Sequence, residues 1–203
     1  MARYTGPKDK VNRRFGVPLF GPSKALERRN YPPGPHGLRS GRRKKSDYAI
    51  ALGEKQKLKF IYGVLEKQFR GYFAEASRRR GITGDIILLL LETRIDNVCY
   101  RLGFGDSRNA ARQLVNHGHV TVNGKKLDIP SYQVRAGDVI KIGERASSQQ
   151  LGLRMLDLTQ SVPLQDWLTL DREKMEGTVS RLPEKEDVDP PVNLQLIVEL
   201  YSR

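Results

Sequence analysis

The positive charge of this chain is concentrated in its first eighty residues, where Lys and Arg outnumber Asp and Glu by 21 to 6. The corresponding counts are 10 to 7 over residues 81–154 and 5 to 10 over residues 155–203. Hydrophobic residues make up 38% of the chain, below the roughly 45–50% of an ordinary globular domain, so a substantial part must be extended or supported by a partner. Segregated charge of this kind favours a polyanion, because phosphate backbones release counterions when Lys and Arg neutralise them. Nucleic acid is therefore the expected partner.

The single cysteine and the placement of apolar residues indicate where such a chain would work. Cys99 has no second thiol to pair with and no secretory signal is visible, so we expect a reducing, cytoplasmic setting. The longest apolar run, residues 86–91, is far shorter than the about 20 residues that cross a bilayer. The basic stretches also lack the bulky apolar face of an interfacial helix. We therefore predict no membrane partner.

Residues 1–46 are rich in Gly, Pro and Arg and show neither helical nor strand periodicity, which predicts an irregular, extended basic arm. Successive prolines stiffen its centre, residues 31–37, because each proline fixes its own φ. A linker and a docking site for a polyproline-binding domain are alternatives for this stretch. The basic clusters on both sides favour a segment laid along nucleic acid. We expect the arm to be poorly ordered without RNA, since it buries little apolar surface.

A helix is predicted to follow Ser46 or Asp47, either of which can cap its N-terminus. Arg78 to Gly81 then close this helix in the way its dipole favours. Its apolar residues recur at spacings of three and four and form one packing face: Leu58, Ile61, Tyr62, Leu65, Phe69, Tyr72, Phe73 and Ala76. Lys and Arg occupy its other side.

Two further helices are predicted. The first covers residues 85–102 after a cap at Thr83, and its apolar side includes Cys99, which is therefore a core residue. The second covers residues 108–116 and has Ser107 as its cap.

Gly118 is expected to end that helix in the left-handed conformation. Asn123-Gly124 follows, between short runs at residues 120–122 and 125–127. Asn-Gly between alternating runs is the strongest local signal for a two-residue β-hairpin turn. A further strand is predicted at residues 139–142.

The sequence patterns that predict helices and strands weaken from Ser147 onwards. Trp167 and its neighbours fit either a short strand or a short helix. Residues 194–201 also fit both, and we favour a helix because Leu194, Ile197 and Tyr201 share one face with Val198.

The order of elements in residues 94–143 resembles the α-L RNA-binding module. That module occurs in a ribosomal protein, in pseudouridine synthases, in tyrosyl-tRNA synthetases and in a heat-shock RNA-binding protein, so it indicates RNA binding and little more. The flanking strings are more specific, and they resemble bacterial-type small-ribosomal-subunit protein four over the entire chain. These strings are residues 1–7 (MARYTGP), 31–34 (YPPG), 46–48 (SDY), 54–57 (EKQK), 61–66 (IYGVLE), 68–70 (QFR) and 196–203 (LIVELYSR).

The resemblance implies an α+β fold. A mostly helical first domain carries the extended basic N-terminal arm, and an α-L module packs two helices on a small antiparallel sheet. We place the arm at residues 1–46, the first domain at residues 47–93 joined by residues 192–203, and the second domain at residues 94–191, with the module at about 94–154.

The resemblance also implies a non-catalytic structural constituent of the small ribosomal subunit in the cytoplasm. Such a protein binds rRNA directly, nucleates assembly of the subunit body and supports translational accuracy. Its implied partners are a multi-helix junction in the 5′ domain of the small-subunit rRNA, small-subunit proteins, especially protein five, and mRNA where it enters the subunit. An RNA-modifying enzyme and a translational repressor that dock through the same module are the alternatives.

Three motifs point to other chemistry and are set aside. Residues 103–108 begin like a dinucleotide-binding fingerprint, but the third glycine is absent and a helix precedes them. Residues 93–96 are similar to the Arg-Leu-Asp string of pseudouridine synthases, but only about sixty weakly patterned residues follow the module. Asp96 is therefore interpreted as a charge at a helix N-terminus. His117 and His119 lack a third metal ligand.

Many members of the family carry four zinc-binding cysteines in the arm, and this arm has none. We therefore predict no structural metal and no cofactor.

Lys and Arg are expected to contact phosphates and set orientation, while Tyr31 and His36 fit against irregular RNA surfaces. Five side chains of the module, Arg108, Arg112, Asn116, Lys125 and Lys126, are expected to converge on one RNA site. The complete set of predicted rRNA-binding residues is Arg3, Lys8, Lys10, Arg13, Arg14, Arg28, Arg29, Tyr31, His36, Arg42, Arg43, Lys44, Lys45, Lys55, Lys57, Lys59, Arg70, Arg108, Arg112, Asn116, His117, His119, Lys125 and Lys126. No catalytic residue is predicted.

Overall fold

The fold combines helices with one small sheet, in a computed structural model that describes residues 4–42, 44–188 and 190–202. The chain divides into two compact units: residues 1–84 with 190–203 form unit 1, and residues 85–189 form unit 2. The helices are α1 (Lys8–Phe15), α2 (Lys24–Arg28), α3 (Asp47–Ile61), α4 (Glu66–Arg78), α5 (Thr83–Glu92), α6 (Ile95–Arg101), α7 (Arg108–Asn116), α8 (Ala146–Leu158) and α9 (Leu194–Ser202), with short 3-10 helices at Gly37–Arg42 and Lys185–Asp187. The strands are β1 (Val120–Val122), β2 (Lys125–Leu127), β3 (Val139–Ile142), β4 (Leu168–Asp171) and β5 (Glu176–Val179). The predicted α+β class is confirmed.

The basic arm contains regular structure, so the prediction of an irregular segment at residues 1–46 is wrong. Within α1, Val11 is buried, and the ring of Phe15 lies 6.2 Å from that of Phe60 on α3. Ser23 caps α2 by accepting a hydrogen bond from the Leu26 amide. A few apolar contacts to α3 are enough to order short helices here, and the many basic residues hide those positions from a search for periodicity.

The long helix predicted after Ser46 is two helices. Ser46 caps α3 as expected, since its hydroxyl accepts a hydrogen bond from the Ala49 amide. Gly63, with a φ of 61°, then turns the chain before α4. The prediction failed here because the buried residues Tyr62 and Val64 in the turn continue the apolar pattern. Helix α9 packs against α3 in the same unit, which confirms the helix predicted at residues 194–201.

The helix predicted at residues 85–102 is also two helices, α5 and α6. Arg94 between them has an extended backbone and forms an isolated bridge with Gln133. The Val134 amide donates to the carbonyl of Thr93, and the Ile95 amide donates to that of Tyr132. Contacts with residues some forty positions away therefore break the helix, and a local pattern does not reveal them. None of the described helices is both long and apolar enough to cross a membrane.

One antiparallel five-stranded sheet, in the order β2-β1-β3-β5-β4, forms the framework of unit 2. Helices α6 and α7 pack together and share a core with the sheet that includes Val98, Cys99, Leu114, Val120, Ile140 and Trp167. Cys99 is buried, as predicted, and burial raises the pKa of its thiol. Strands β4 and β5 extend the sheet beyond the hairpin and the one later strand that the sequence predicted.

The predicted hairpin is confirmed in position and in the two-residue length of its turn. Asn123 and Gly124 both have positive φ, 50° and 76°, as a type I′ turn requires. The Asn123 side chain donates to Asp138 Oδ1 at 2.9 Å and accepts from the Val139 amide at 2.9 Å. These bonds join the turn to the start of β3. The tip of the hairpin is therefore held to the neighbouring strand as well as by its own pairing.

Candidate nucleic-acid interface

The hairpin brings basic side chains of several elements together in unit 2. Lys126 on β2 lies against Gly118 at the end of α7, where a side-chain Cβ would overlap Lys126 Cε. His117 and His119 flank this glycine, with ring centroids 6.1 Å apart. We name His117, His119, Lys126 and Arg145 the hairpin cluster.

The electrostatics of His119 show that the other three groups of the cluster lie within electrostatic range of it. Burial lowers the pKa of His119, and the charges of His117, Arg145 and Lys126 lower it further. A protonated His119 is disfavoured there because three neighbours are or can become positive. An anion bound at the cluster would relieve this repulsion, which makes the cluster a candidate phosphate contact.

Arg145 is a candidate that the sequence analysis missed. Strand β3 pairs with β1, and beyond the paired residues the Gly143 amide donates to the His119 carbonyl at 2.7 Å. This pairing carries Arg145 back to the end of α7. The sequence predicted a strand at residues 139–142 but not which strand it pairs with, because strand pairing depends on residues far apart in the chain.

Lys125 and Lys126 lie on opposite faces of the sheet, although we predicted that they would converge. Lys126 pairs with Thr121, and Thr121 pairs with Lys141 on β3. Lys125 pairs with Val122, whose side chain is buried in the core. Successive strand residues point to opposite faces, so Lys126 and Lys141 share a face and Lys125 does not. Both lysines of the hairpin are exposed.

Arg108 is held by a polar network that joins three helices. Its Nε donates to Asn97 Oδ1 at 2.8 Å, and its guanidinium lies 4.6 Å from the centre of the Tyr100 ring. Asn97 Nδ2 donates to Glu92 Oε2 at 2.7 Å, and Arg101 donates to both carboxylate oxygens of Glu92. Arg108 is half-buried.

Arg112 lies inside unit 2, whereas we predicted that it would join the RNA-facing side chains. Its side chain is only 7% exposed, and its Nη1 lies 3.8 Å from Asp96 Oδ2. Asp96 also accepts two hydrogen bonds from Arg94, at 3.0 and 2.6 Å. The pattern of α7 places Arg112 on the polar side of that helix, but it cannot show that α6 covers this side. Asn116, one turn further along, is exposed.

Three lysines of α3 that were predicted to contact RNA have acidic partners within unit 1. Lys55 and Lys59 lie 2.9 and 3.3 Å from the two carboxylate oxygens of Glu66, and Lys57 lies 2.7 Å from Glu54. The Lys55 side chain is 10% exposed. The turn at Gly63 brings Glu66 next to α3, where it pairs with Lys55 and Lys59. Contact of these three lysines with RNA stays a prediction.

Glu66 also fixes the C-terminal helix. The Tyr201 hydroxyl donates a hydrogen bond to Glu66 Oε1 at 2.8 Å, and the Tyr201 ring stacks on that of Phe73 with centroids 4.5 Å apart. Partial burial raises the pKa of Glu66, but hydrogen bonds from Lys55 and Tyr201 outweigh it, so the net pKa is lowered. Burial, followed by the bond to Glu66, raises the pKa of Tyr201. The bond is therefore made between a carboxylate and a protonated phenol at neutral pH.

The proline-rich centre of the arm is anchored to α1 through Arg13. Arg13 Nε donates to the carbonyls of Arg29 and Tyr31, at 3.3 and 3.2 Å, and its guanidinium lies 4.9 Å from the centre of the Tyr31 ring. Arg13 and Tyr31 are therefore half-buried and partly used within unit 1.

The remaining predicted residues divide into exposed and undescribed groups. Those exposed in unit 1 are Lys8, Lys10, Arg14, Arg28, Arg29, His36, Lys44, Lys45 and Arg70. Arg3 and Arg43 lie outside the described residues, as does the side chain of Arg42. Among the described residues, no group of three or more His, Cys, Asp or Glu side chains is placed to hold a metal ion.

Comparisons with known proteins agree over the whole chain. Residues 3–92 match the family model for the ribosomal protein S4/S9 N-terminal domain, and residues 93–140 match that for the S4 domain. Small ribosomal subunit protein uS4 of Akkermansia muciniphila is 66% identical over 203 residues, and that of Opitutus terrae is 53% identical over 203 residues. The Thermus thermophilus protein of the same name is 51% identical over 210 aligned positions. All of this chain and all of each relative are covered. The chain therefore belongs to the ribosomal protein S4 family.

Proposed function

We propose that this chain is an rRNA-binding structural constituent of the small ribosomal subunit. The observation that carries the proposal is full-length identity of 51–66% to relatives named small ribosomal subunit protein uS4. The surfaces described above support it, since each unit presents exposed Lys and Arg that suit phosphate contacts. Ribosome association follows from this role, and we place that ribosome in the cytoplasm.

The mechanism of binding is electrostatic positioning on folded RNA. Lys and Arg contacts to phosphates set the orientation of a protein without reading sequence. Folded RNA presents a defined arrangement of phosphates, so basic groups at fixed separations select shape. Lys126 of the hairpin cluster lies in a paired strand, and Arg13 joins the proline-rich centre of the arm to α1. These basic groups therefore have defined positions within their own units.

A catalytic role has no support in this family, and the placement of Asp96 argues against it independently. A carboxylate nucleophile must reach its substrate. The Asp96 side chain is 6% exposed and is bonded to Arg94, whose side chain is 0% exposed. Asp96 thus serves as a buried countercharge at the start of α6.

The finer partners of the family are also proposed for this chain. They are a multi-helix junction in the 5′ domain of the small-subunit rRNA, small-subunit protein five, and mRNA where it enters the subunit. We further propose that the chain nucleates assembly of the subunit body and supports translational accuracy. Family membership along the entire chain is the support for these assignments.

Crosslinking tests the proposal directly. The purified full-length chain is mixed with total RNA from a bacterial lysate at near-physiological salt and crosslinked, and the attached fragments are sequenced. We expect enrichment of small-subunit rRNA, with reads concentrated in its 5′ domain. Equal recovery of large-subunit and small-subunit rRNA would contradict the proposal.

A further inference from the structure

Unit 1 contains a cavity of about 320 Å³. Lys10, Arg14 and Phe15 of α1 line one side, Phe60 of α3 and Tyr4 line another, and Pro33 of the proline-rich centre contributes to the rest. Its size is at the lower end of the range of small-molecule sites, which is about 300–1,000 Å³. It therefore suits a group of nucleotide size better than a folded partner.

The aromatic walls of the cavity suit a flat ring. The rings of Tyr4 and Phe60 have centroids 5.1 Å apart and planes inclined by 74°. Two walls near a right angle let one ring stack on a planar ligand while the other meets its edge, which are the two preferred aromatic geometries. Phe20 supports Tyr4 from outside the lining, with centroids 6.4 Å apart.

The charged part of the cavity suits an anion. Lys10 and Arg14 are four residues apart on α1 and therefore lie on one side of it, and both are exposed. The described residues that line the cavity include no acidic side chain. Aromatic surface beside paired cations is the combination that binds single-stranded nucleic acid, in which a base stacks and a phosphate pairs with Lys or Arg.

We propose that this cavity binds one unstacked nucleotide of the RNA to which the chain binds. Its base stacks on one of the two rings of Tyr4 and Phe60 and meets the other with its edge, and its phosphates contact Lys10 and Arg14. This inference rests on the proposed function and adds to it a contact with a base. A free mononucleotide has the same chemistry, so the test includes it as a separate ligand.

The test compares Tyr4→Leu with Tyr48→Leu in the full chain. Tyr48 is 57% exposed on α3 and does not line the cavity, so it is the matched control. For small-subunit rRNA, Tyr4→Leu is expected to weaken binding roughly 5- to 150-fold, the range of one lost stacking contact. The slope of log affinity against log salt should stay unchanged, because no cation is removed. Tyr48→Leu should leave affinity and slope unchanged.

Ultraviolet crosslinking followed by mass spectrometry supplies a second readout that does not depend on folding of a variant. On the wild-type chain we expect nucleotide adducts on Tyr4 or Phe60. Crosslinks elsewhere but none on these rings, together with equal affinities of the two variants, would overturn the inference. So would binding of adenosine monophosphate that Tyr4→Leu abolishes while rRNA affinity is retained. Failure of the wild-type chain to bind rRNA at all would instead refute the proposed function.

Discussion

Replacing Asp96 by Asn is expected to destabilise unit 2 strongly. The substitution keeps the volume of the side chain but removes the carboxylate that accepts two hydrogen bonds from Arg94, at 3.0 and 2.6 Å. The Asn amide presents a donor to a guanidinium that has only donors, so at most one of these two bonds survives. Arg94 is fully buried and cannot recover hydration. Removing one partner of a buried pair typically costs about 3–5 kcal/mol.

Urea unfolding followed by the fluorescence of Trp167 measures this loss. Trp167 is the single tryptophan and is buried in unit 2, so its signal follows that unit. With a slope of about 2 kcal/mol per molar urea, the midpoint should fall by about 1.5–2.5 M. Asp106→Asn is the control, since Asp106 is exposed in the same unit, and its stability should change by less than about 0.5 kcal/mol. A midpoint shift for Asp96→Asn as small as that of the control would refute a buried structural role for Asp96.

Three smaller perturbations test other parts of the fold. Ser107→Ala removes the hydroxyl that accepts a hydrogen bond from the Ala110 amide at the start of α7. In the same urea assay it should destabilise unit 2 by about 1 kcal/mol. An unchanged midpoint would contradict the capping role. The pKa of Glu66 is lower in the folded chain than in the unfolded chain. Its carboxylate therefore stabilises unit 1 above the unfolded-state pKa of Glu66, and this stabilisation is lost as pH falls through its folded-state pKa. The protection factors of α9 amides, which are corrected for intrinsic exchange, should therefore fall on acidification below about pH 4.5. Glu66→Gln should remove that pH dependence, and an equal fall in both chains would be inconsistent with it. Because the pKa of His119 is lowered, acidification below pH 6.5 should strengthen RNA binding by protonating His119. Filter binding measures this gain, and His119→Gln should reduce it. An identical pH profile in the variant would show that His119 is not involved.

The parts of the fold that depend on local chemistry were predictable from the sequence. Ser46 and Ser107 cap helices where expected, and Asn123-Gly124 forms the expected turn. Each of these signals acts within a few residues, so a single sequence contains it. The breaks at Gly63 and Arg94 were missed because apolar periodicity continues through both of them.

The sequence predicted that basic residues form the candidate interface, but it did not predict which of them are exposed. Whether a basic side chain is free for RNA depends on what the fold brings against it. In the sequence, Lys55 and Arg112 cannot be distinguished from exposed cations. In the structure, Lys55 pairs with Glu66 and Arg112 lies beside Asp96. Arg145 shows the converse, since strand pairing carries it to the hairpin cluster. Exposure and pairing are tertiary properties, and only the folded chain reveals them.

In the proposed mode of binding, exposed cations of two separate regions of the chain contact the same RNA. The most direct measurement is the salt dependence of rRNA binding for three double variants, Lys126→Gln with Arg145→Gln, Lys44→Gln with Lys45→Gln, and the control Arg154→Gln with Lys174→Gln. All six side chains are exposed. Each phosphate contact contributes about 0.7–0.9 to the slope of log K against log salt, so each test pair should reduce the slope by roughly 1.4–1.8 and the control pair should not. Equal slopes for the wild type and both test pairs would contradict the claim.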